Sequence, residues 1–433
     1  MRLTAHRLAA ALVVSVCTVP TAAVLSPAWA LPGRVQQQTT PAMTQQLSCG
    51  NQNVPPPPVD SSEQPPAGKS APPPLPVPDR PVGGPRLGEC DNVLPEKAAA
   101  VPSQVNAAAW IIADLDTGAV LAANDPHARL RPASAITVLT AMTAFQELDM
   151  NATVTVTKED AEQNGEEIGL AAGGKYTVKQ LLRGMLMTEF APDAVSALSR
   201  QLGGTEATLT KMNALAAQIG ALDTRAATAS GADGPGMSSS VYDIALMVRT
   251  AMRNADFTEI MKTRTTTFPS TGSKSAFTVT NDNKLLANYS GAIGGKVGFT
   301  PNAGNTVIGM ASKNGRRLVT VLLRGEPRPV ATWLQAGKLL DYGFAMKSDT
   351  KPVGQLVERA PASSTNPETP AQARPEGARD VNGEPILDPS AAPTAFGNVG
   401  GPLTGAAGVL LVAGLLIYLR KKRAKRARAL SSS

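Results

Sequence analysis

The stretch that decides the fold is DLDTGAVLAANDPHARLRPASAITVLTAM, residues 114–142. With NAAAWIIA ahead of it, residues 106–125 read as two apolar-rich strands joined at Asp116-Thr117-Gly118, a hairpin signal. A turn follows at Arg131-Pro132-Ala133, and an apolar helical run starts at Ser134. A serine at a helix N-terminus most simply caps it, because the hydroxyl satisfies an otherwise unpaired backbone N–H. The same place suits a nucleophile if a base stands one helical turn further on, and there the chain carries Thr137.

Outward from this stretch the chain alternates helical and extended patterns. Residues 177–252 hold several helical runs, among them TVKQLLRGMLM and TLTKMNALAAQIG, and Ser240-Val-Tyr-Asp243 forms a capping box ahead of IALMVRTAM. NTVIGMASKNGRRLVTVLLRG, 305–325, predicts a second hairpin turning at Asn314-Gly315. ATWLQAGKLLDYGF then reads as a helix ending at Gly343. Strands at both ends with helices between them predict one α/β body over 105–346 whose ends share a sheet. No internal repeat is present.

The flanks read differently. Arg2 and Arg7, the apolar run Leu8–Val16 and Ala28-Trp29-Ala30 predict a cleaved secretory signal over 1–30. Residues 31–104 are proline-rich, with VPPPPV at 54–59 and APPPLPVP at 71–78, and should run as extended polyproline. Cys17 leaves with the signal, and an exported chain would join Cys49 and Cys90 as a disulfide, two free thiols being the alternative. Closing a loop of that size is worth about 4 kcal/mol in the chain-entropy model. Residues 347–401 turn to Pro, Ala, Ser and Glu without periodicity and predict a disordered linker. Residues 402–419, uncharged from Leu403 to Leu419, predict a single membrane-spanning helix, and the basic tail 420–433 after it predicts a cytoplasmic C-terminus. The folded domain then lies on the extracytoplasmic side.

The net charge of +7 belongs to that tail. Without its seven clustered lysines and arginines, 34 basic residues balance 34 acidic ones, and with 4% aromatics the body shows no nucleic-acid footprint. Once the signal is removed His127 is the one histidine left, which excludes a zinc site built on several histidines, and no cofactor is implied.

Residues 114–142, together with GAIGGKVGFTPNAGNT at 291–306 and the closing DYGF helix, resemble the serine-type D-Ala-D-Ala carboxypeptidases, the low-molecular-mass penicillin-binding proteins. The resemblance spans about 105–345 and implies a β-lactamase-like fold: a five-stranded antiparallel sheet flanked by helices, plus an all-helical lobe. It also implies a ligand, the peptidoglycan stem peptide or a β-lactam-like molecule. Three family motifs carry the chemistry, and each departs here. In S-x-x-K, Ser134 is kept and Thr137 replaces the lysine; threonine is no base near neutral pH. Where S-x-N should follow a helical LLM, the chain has MLMTEFAPDAV, 185–195, with Thr188 and Glu189 as the only polar candidates before Asp193. K-T-G appears as Lys296-Val297-Gly298, so the hydroxyl that would bind a substrate carboxylate is missing. The backbone N–H groups of Ser134 and Phe299 would still form an oxyanion hole. His127 is, by the same resemblance, structural.

Two functional readings follow. In one, the protein is a membrane-tethered, catalytically impaired relative that binds peptidoglycan or a wall partner. In the other, it is an active carboxypeptidase using Ser134, with Lys296 or Glu189 as a substitute base. Losing a side chain from all three motifs while keeping the scaffold favours the first.

Overall fold

The computed structural model describes residues 49–163, 168–271 and 274–360. A two-residue strand, β1 (Asn92–Val93), precedes the first predicted hairpin, β2 (Ala109–Asp114) and β3 (Ala119–Asn124). The helical lobe follows as α1 (Thr137–Glu147), β4 (Thr153–Thr155), α2 (Lys158–Ala161), β5 (Lys175–Thr177), α3 (Val178–Met187), α4 (Pro192–Gln201), α5 (Thr205–Ile219), α6 (Val241–Ala251) and α7 (Ala255–Lys262). A small hairpin, β6 (Thr265–Phe268) and β7 (Phe277–Thr280), and α8 (Lys284–Asn288) lead back to the sheet. The chain then runs through β8 (Ala292–Thr300), β9 (Gly304–Lys313), β10 (Arg316–Gly325), α9 (Thr332–Ala345) and β11 (Gly354–Gln355).

The main sheet is antiparallel, in the order β1-β3-β2-β10-β9-β8, with β11 also pairing with β3. Five long strands agree with the expected sheet. The two short ones are an addition: both lie on the outer edge of β3 and cover backbone groups that would otherwise stand open. The pleat sorts the core. Along β10, Val319, Val321 and Leu323 enter the cluster shared with the helical lobe, while Leu318 and Leu322 enter the cluster beneath α9. Each such side chain, removed from water, contributes roughly 1.5–3 kcal/mol. The β9–β10 turn places Asn314 and Gly315 at φ 51° and 77°, the conformation an Asn-Gly hairpin requires.

Helix ends follow the chain's own chemistry with two corrections. Thr177 and Gln180 complete a reciprocal capping box on α3. Ser240 caps α6, but Asp243 does not return the bond; its Oδ2 accepts from Asp223 N and Thr224 Oγ1 instead. The predicted helix at Ser134 begins with a 3₁₀ turn, Ala133–Ile136, so Ser134 is not the cap and α1 proper starts at Thr137.

Cys49 and Cys90 are joined by a disulfide. Between them the proline-rich arm is extended, broken by short 3₁₀ turns at Ser61–Glu63 and Pro85–Gly88. Proline-rich backbone has few N–H groups, and the body supplies donors for its carbonyls: Arg129 to Asn53, Leu75 and Pro76, Arg131 to Pro56, and Arg225 to Pro73. At the other end, the linker expected from 347 holds to the body as far as Ala360. Val353 and Leu356 are buried, β11 pairs with β3, and Arg249 and Arg253 both bind Glu358. Among the described residues no helix is long and apolar enough to cross a membrane. The predicted signal and the span at 402–419 lie outside the described residues.

Candidate active site

Ser134 is 2% exposed and sits in a strained turn. Ala133 before it takes φ 46°, a left-handed conformation that costs a non-glycine residue about 1–3 kcal/mol and persists only where the surroundings enforce it. Two glycines enforce it from either side. A Cβ on Gly231 would fall 2.2 Å from the Ala133 carbonyl oxygen, and one on Gly298 would fall 2.7 Å from Ser134 N. The turn is thus wedged between the 231 loop and β8, with backbone approaching too closely for any side chain. Within the described sheet β8 pairs only with β9, and its other edge faces the Ser134 turn.

The expected chemical partners of Ser134 are otherwise engaged. Thr137 is buried, and its Oγ1 donates to the Ser134 carbonyl oxygen at 2.7 Å, so it ties down the turn rather than the nucleophile. The Ser134 Oγ makes no hydrogen bond to any described residue. Thr188 Oγ1 donates to Gly184 O at 2.8 Å at the end of α3 and does not reach the serine. Asp193, of the Asp-Ala that follows, accepts from the backbone N–H groups of Gly169, Leu170 and Ala194, a structural duty.

Lys296 is buried between β8 and the end of α3. Its Nζ donates to the carbonyl oxygens of Thr188 at 2.7 Å, Glu189 at 3.1 Å and Val297 at 2.6 Å. Three donors meet three acceptors. Burial pulls its pKa down to about 7, against the nearby negative charges of Glu189 and Asp282. Asp282 also accepts from Glu189 N at 2.6 Å, so the 188–190 segment is clamped from both sides. Val297 points the other way and packs with the cluster beneath α9. Phe299, 50% exposed, stands on the open part of β8 beside Gly298. His127 is turned toward Asp223, away from Ser134.

A second set of residues surrounds the turn without any motif to announce it. Asp233, two residues past Gly231, accepts from Thr300 Oγ1 at 2.8 Å and Asn302 Nδ2 at 3.1 Å. Asn302 Nδ2 also reaches Asp60 Oδ1 and Ser62 Oγ on the arm. From there Glu63 returns to Arg131, whose Nη2 donates at 2.7 Å and whose Nε donates to the other carboxylate oxygen. Arg131 lies three residues before Ser134, so arm and nucleophile turn close a ring of contacts. The only hint in the sequence is the pair of arginines in RLRPAS, which cannot say what they bind.

Comparisons with known proteins agree with this geometry. A family model described as D-alanyl-D-alanine carboxypeptidase matches residues 96–326. A D-alanyl-D-alanine carboxypeptidase of Mycobacterium tuberculosis is 41% identical over 270 residues, 61% of this chain and 91% of that protein. A crystal structure of a D-alanyl-D-alanine carboxypeptidase from the same organism superposes with a TM-score of 0.58 at 39% identity, covering 60% of this chain and 99% of that one. The Streptomyces K15 DD-transpeptidase superposes at 0.54 with 28% identity, covering 57% and 100%.

Proposed function

The chain belongs to the D-alanyl-D-alanine carboxypeptidase family of cell-wall metabolism, and from that membership we propose that it is a catalytically impaired member that binds a stem-peptide or β-lactam-like ligand along β8 without turning it over. The observation that carries this reading is the pair of hydroxyls at the nucleophile turn. Thr137, in the place of the activating lysine, spends its proton on the Ser134 carbonyl, and the Ser134 Oγ makes no hydrogen bond to any described residue. General-base assistance is typically worth ~10²–10⁴ in rate. The backbone elements that need no side chain, the Ser134 and Phe299 N–H groups beside an open strand edge, would remain able to hold a carbonyl oxygen.

The same proposal places the domain outside the cytoplasmic membrane, exported by the N-terminal signal and tethered through 402–419 with the basic tail inside. Its support is the order of signal, proline-rich arm, folded body, linker, apolar run and basic cluster along the chain.

One observation favours an active enzyme instead. Lys296, lowered to about 7, would be partly neutral at physiological pH and so chemically able to take a proton. To do so Nζ would have to leave the carbonyls of Thr188, Glu189 and Val297 and turn to Ser134. Incubation of the full chain with a pentapeptide ending in D-Ala-D-Ala separates the readings. Co-sedimentation with peptidoglycan and D-Ala release no faster than without protein is the expected result. Release that disappears in Lys296→Met would establish the active reading.

A further inference from the structure

His127 faces two acceptors. Its Nδ1 lies 2.7 Å from Asp223 Oδ2, and its Nε2 lies 3.0 Å from the carbonyl oxygen of Val82. A neutral imidazole has a single N–H and could satisfy one of them; only the doubly protonated ring donates to both. The two acceptors belong to different parts of the molecule. Asp223 is in the body, while Val82 is a buried residue of the proline-rich arm.

The surroundings support the charged ring. Asp223 is shared with Arg129, whose Nε lies 3.2 Å from Oδ1. Asp243 stands behind it, accepting from Asp223 N at 2.8 Å. The Tyr242 ring lies 4.7 Å from the imidazole, its hydroxyl engaged with Gln355 O and Val357 N. From the arm, the described polar contact to His127 is the Val82 carbonyl. Burial alone would push the His127 pKa down, but the bond to Asp223 and the charges of Asp223 and Asp243 outweigh it, and the pKa is raised. Burial would likewise raise Asp223, yet His127 and Arg129 hold it below the usual carboxylate range. Asp243 is pushed well up by burial and by Asp223.

We propose that His127 latches the proline-rich arm to the body as an imidazolium, and that loss of one ring proton on alkalinisation unlatches the arm at Val82. The proton that leaves is the one on Nε2, since Nδ1–H faces a carboxylate. Two lone pairs then oppose each other at the Val82 carbonyl, and a buried acceptor is left unsatisfied. The sign follows from the raised pKa: the latch holds fully below the ordinary histidine value of about 6.5 and is lost as pH rises through the folded value. The loss is local, because Arg129, Arg131, Arg225 and the disulfide keep their own hold on the arm. Room for it exists beside the ring, where a gap is lined by Val77, Pro78, Pro81 and Leu222.

Amide hydrogen exchange on the full chain, corrected for intrinsic rates, tests the proposal between about pH 6 and about pH 9. Peptides covering 77–90 should lose protection by roughly tenfold or more relative to peptides from β10, the equivalent of one bond to a charged group. In His127→Gln, which cannot titrate, the arm should show one constant protection ratio. Arm and β10 protection that change in parallel in the wild type would overturn the latch, as would a pH dependence that survives in the variant. Should His127→Gln fail to fold, the imidazole nitrogen shifts of the wild-type chain decide, with the His6 signal identified through His6→Ala. Both His127 ring nitrogens protonated at about pH 7 is the expected result, and a neutral ring there would overturn the proposal.

Discussion

At Ser134 a tightly enforced turn holds a serine beside β8, and the proposed function rests on that serine lacking an activating base. The strained Ala133, the close glycines and the Ser134 hydroxyl would serve an acyl-transfer site, while the place of the activating lysine holds a threonine bonded to backbone. Restoring it tests how much the other departures matter. Thr137→Lys alone should leave D-Ala release at background, because Val297 packs with the cluster beneath α9 and Thr188 is tied to Gly184. Release rising by the full ~10²–10⁴ expected of a general base would show that the lysine alone was limiting. Glu63 offers a second prediction at this scale. Its carboxylate neutralises Arg131, which is 3% exposed, and removing one partner of a buried pair costs about 3–5 kcal/mol. Glu63→Ala should show that loss in urea unfolding, and Glu63→Gln, which keeps a hydrogen-bond acceptor, should lose less.

Elements whose sequence pattern repeats are legible in the sequence; elements defined by distant partners are not. The hairpin at Asp116-Thr117-Gly118, the turn at Asn314-Gly315, α3, α5 and α9 follow from turn residues and periodicity that act locally. The 3₁₀ turn at Ser134 is not legible in the sequence because what imposes it, Gly231 and Gly298, lies roughly a hundred residues or more away. The half-made cap at Ser240 has the same origin: Asp243 is drawn off by Asp223 and Thr224. In the sequence β11 reads as linker because two residues carry no periodicity, and only the open edge of β3 makes them a strand. Of the candidate site, Ser134, Lys296 and the loss of the lysine are legible in motifs. Asp233, Asn302 and Glu63 are not, since only the fold brings the 231 loop, the end of β8 and the arm together around the Ser134 turn. The disulfide gives the arm a separate test. Replacing Cys49 and Cys90 by serine should cost about 2–5 kcal/mol and make 49–90 the first site of proteolysis.

Over the whole molecule, a carboxypeptidase-type body is strapped on one side by a proline-rich arm and closed at its β3 edge by the chain that follows α9. Val353 and Leu356 are buried there, each worth roughly 1.5–3 kcal/mol. Ending the chain at residue 352 should therefore lower Tm measurably. The family and sheet are those of the D-alanyl-D-alanine carboxypeptidases of cell-wall metabolism, and the account's central claim is that this body forms no acyl-enzyme. Incubation of the full chain with fluorescent penicillin, beside Ser134→Ala, tests that claim most directly. The account predicts no covalent label on either protein; a label on the wild type that vanishes in Ser134→Ala would contradict it.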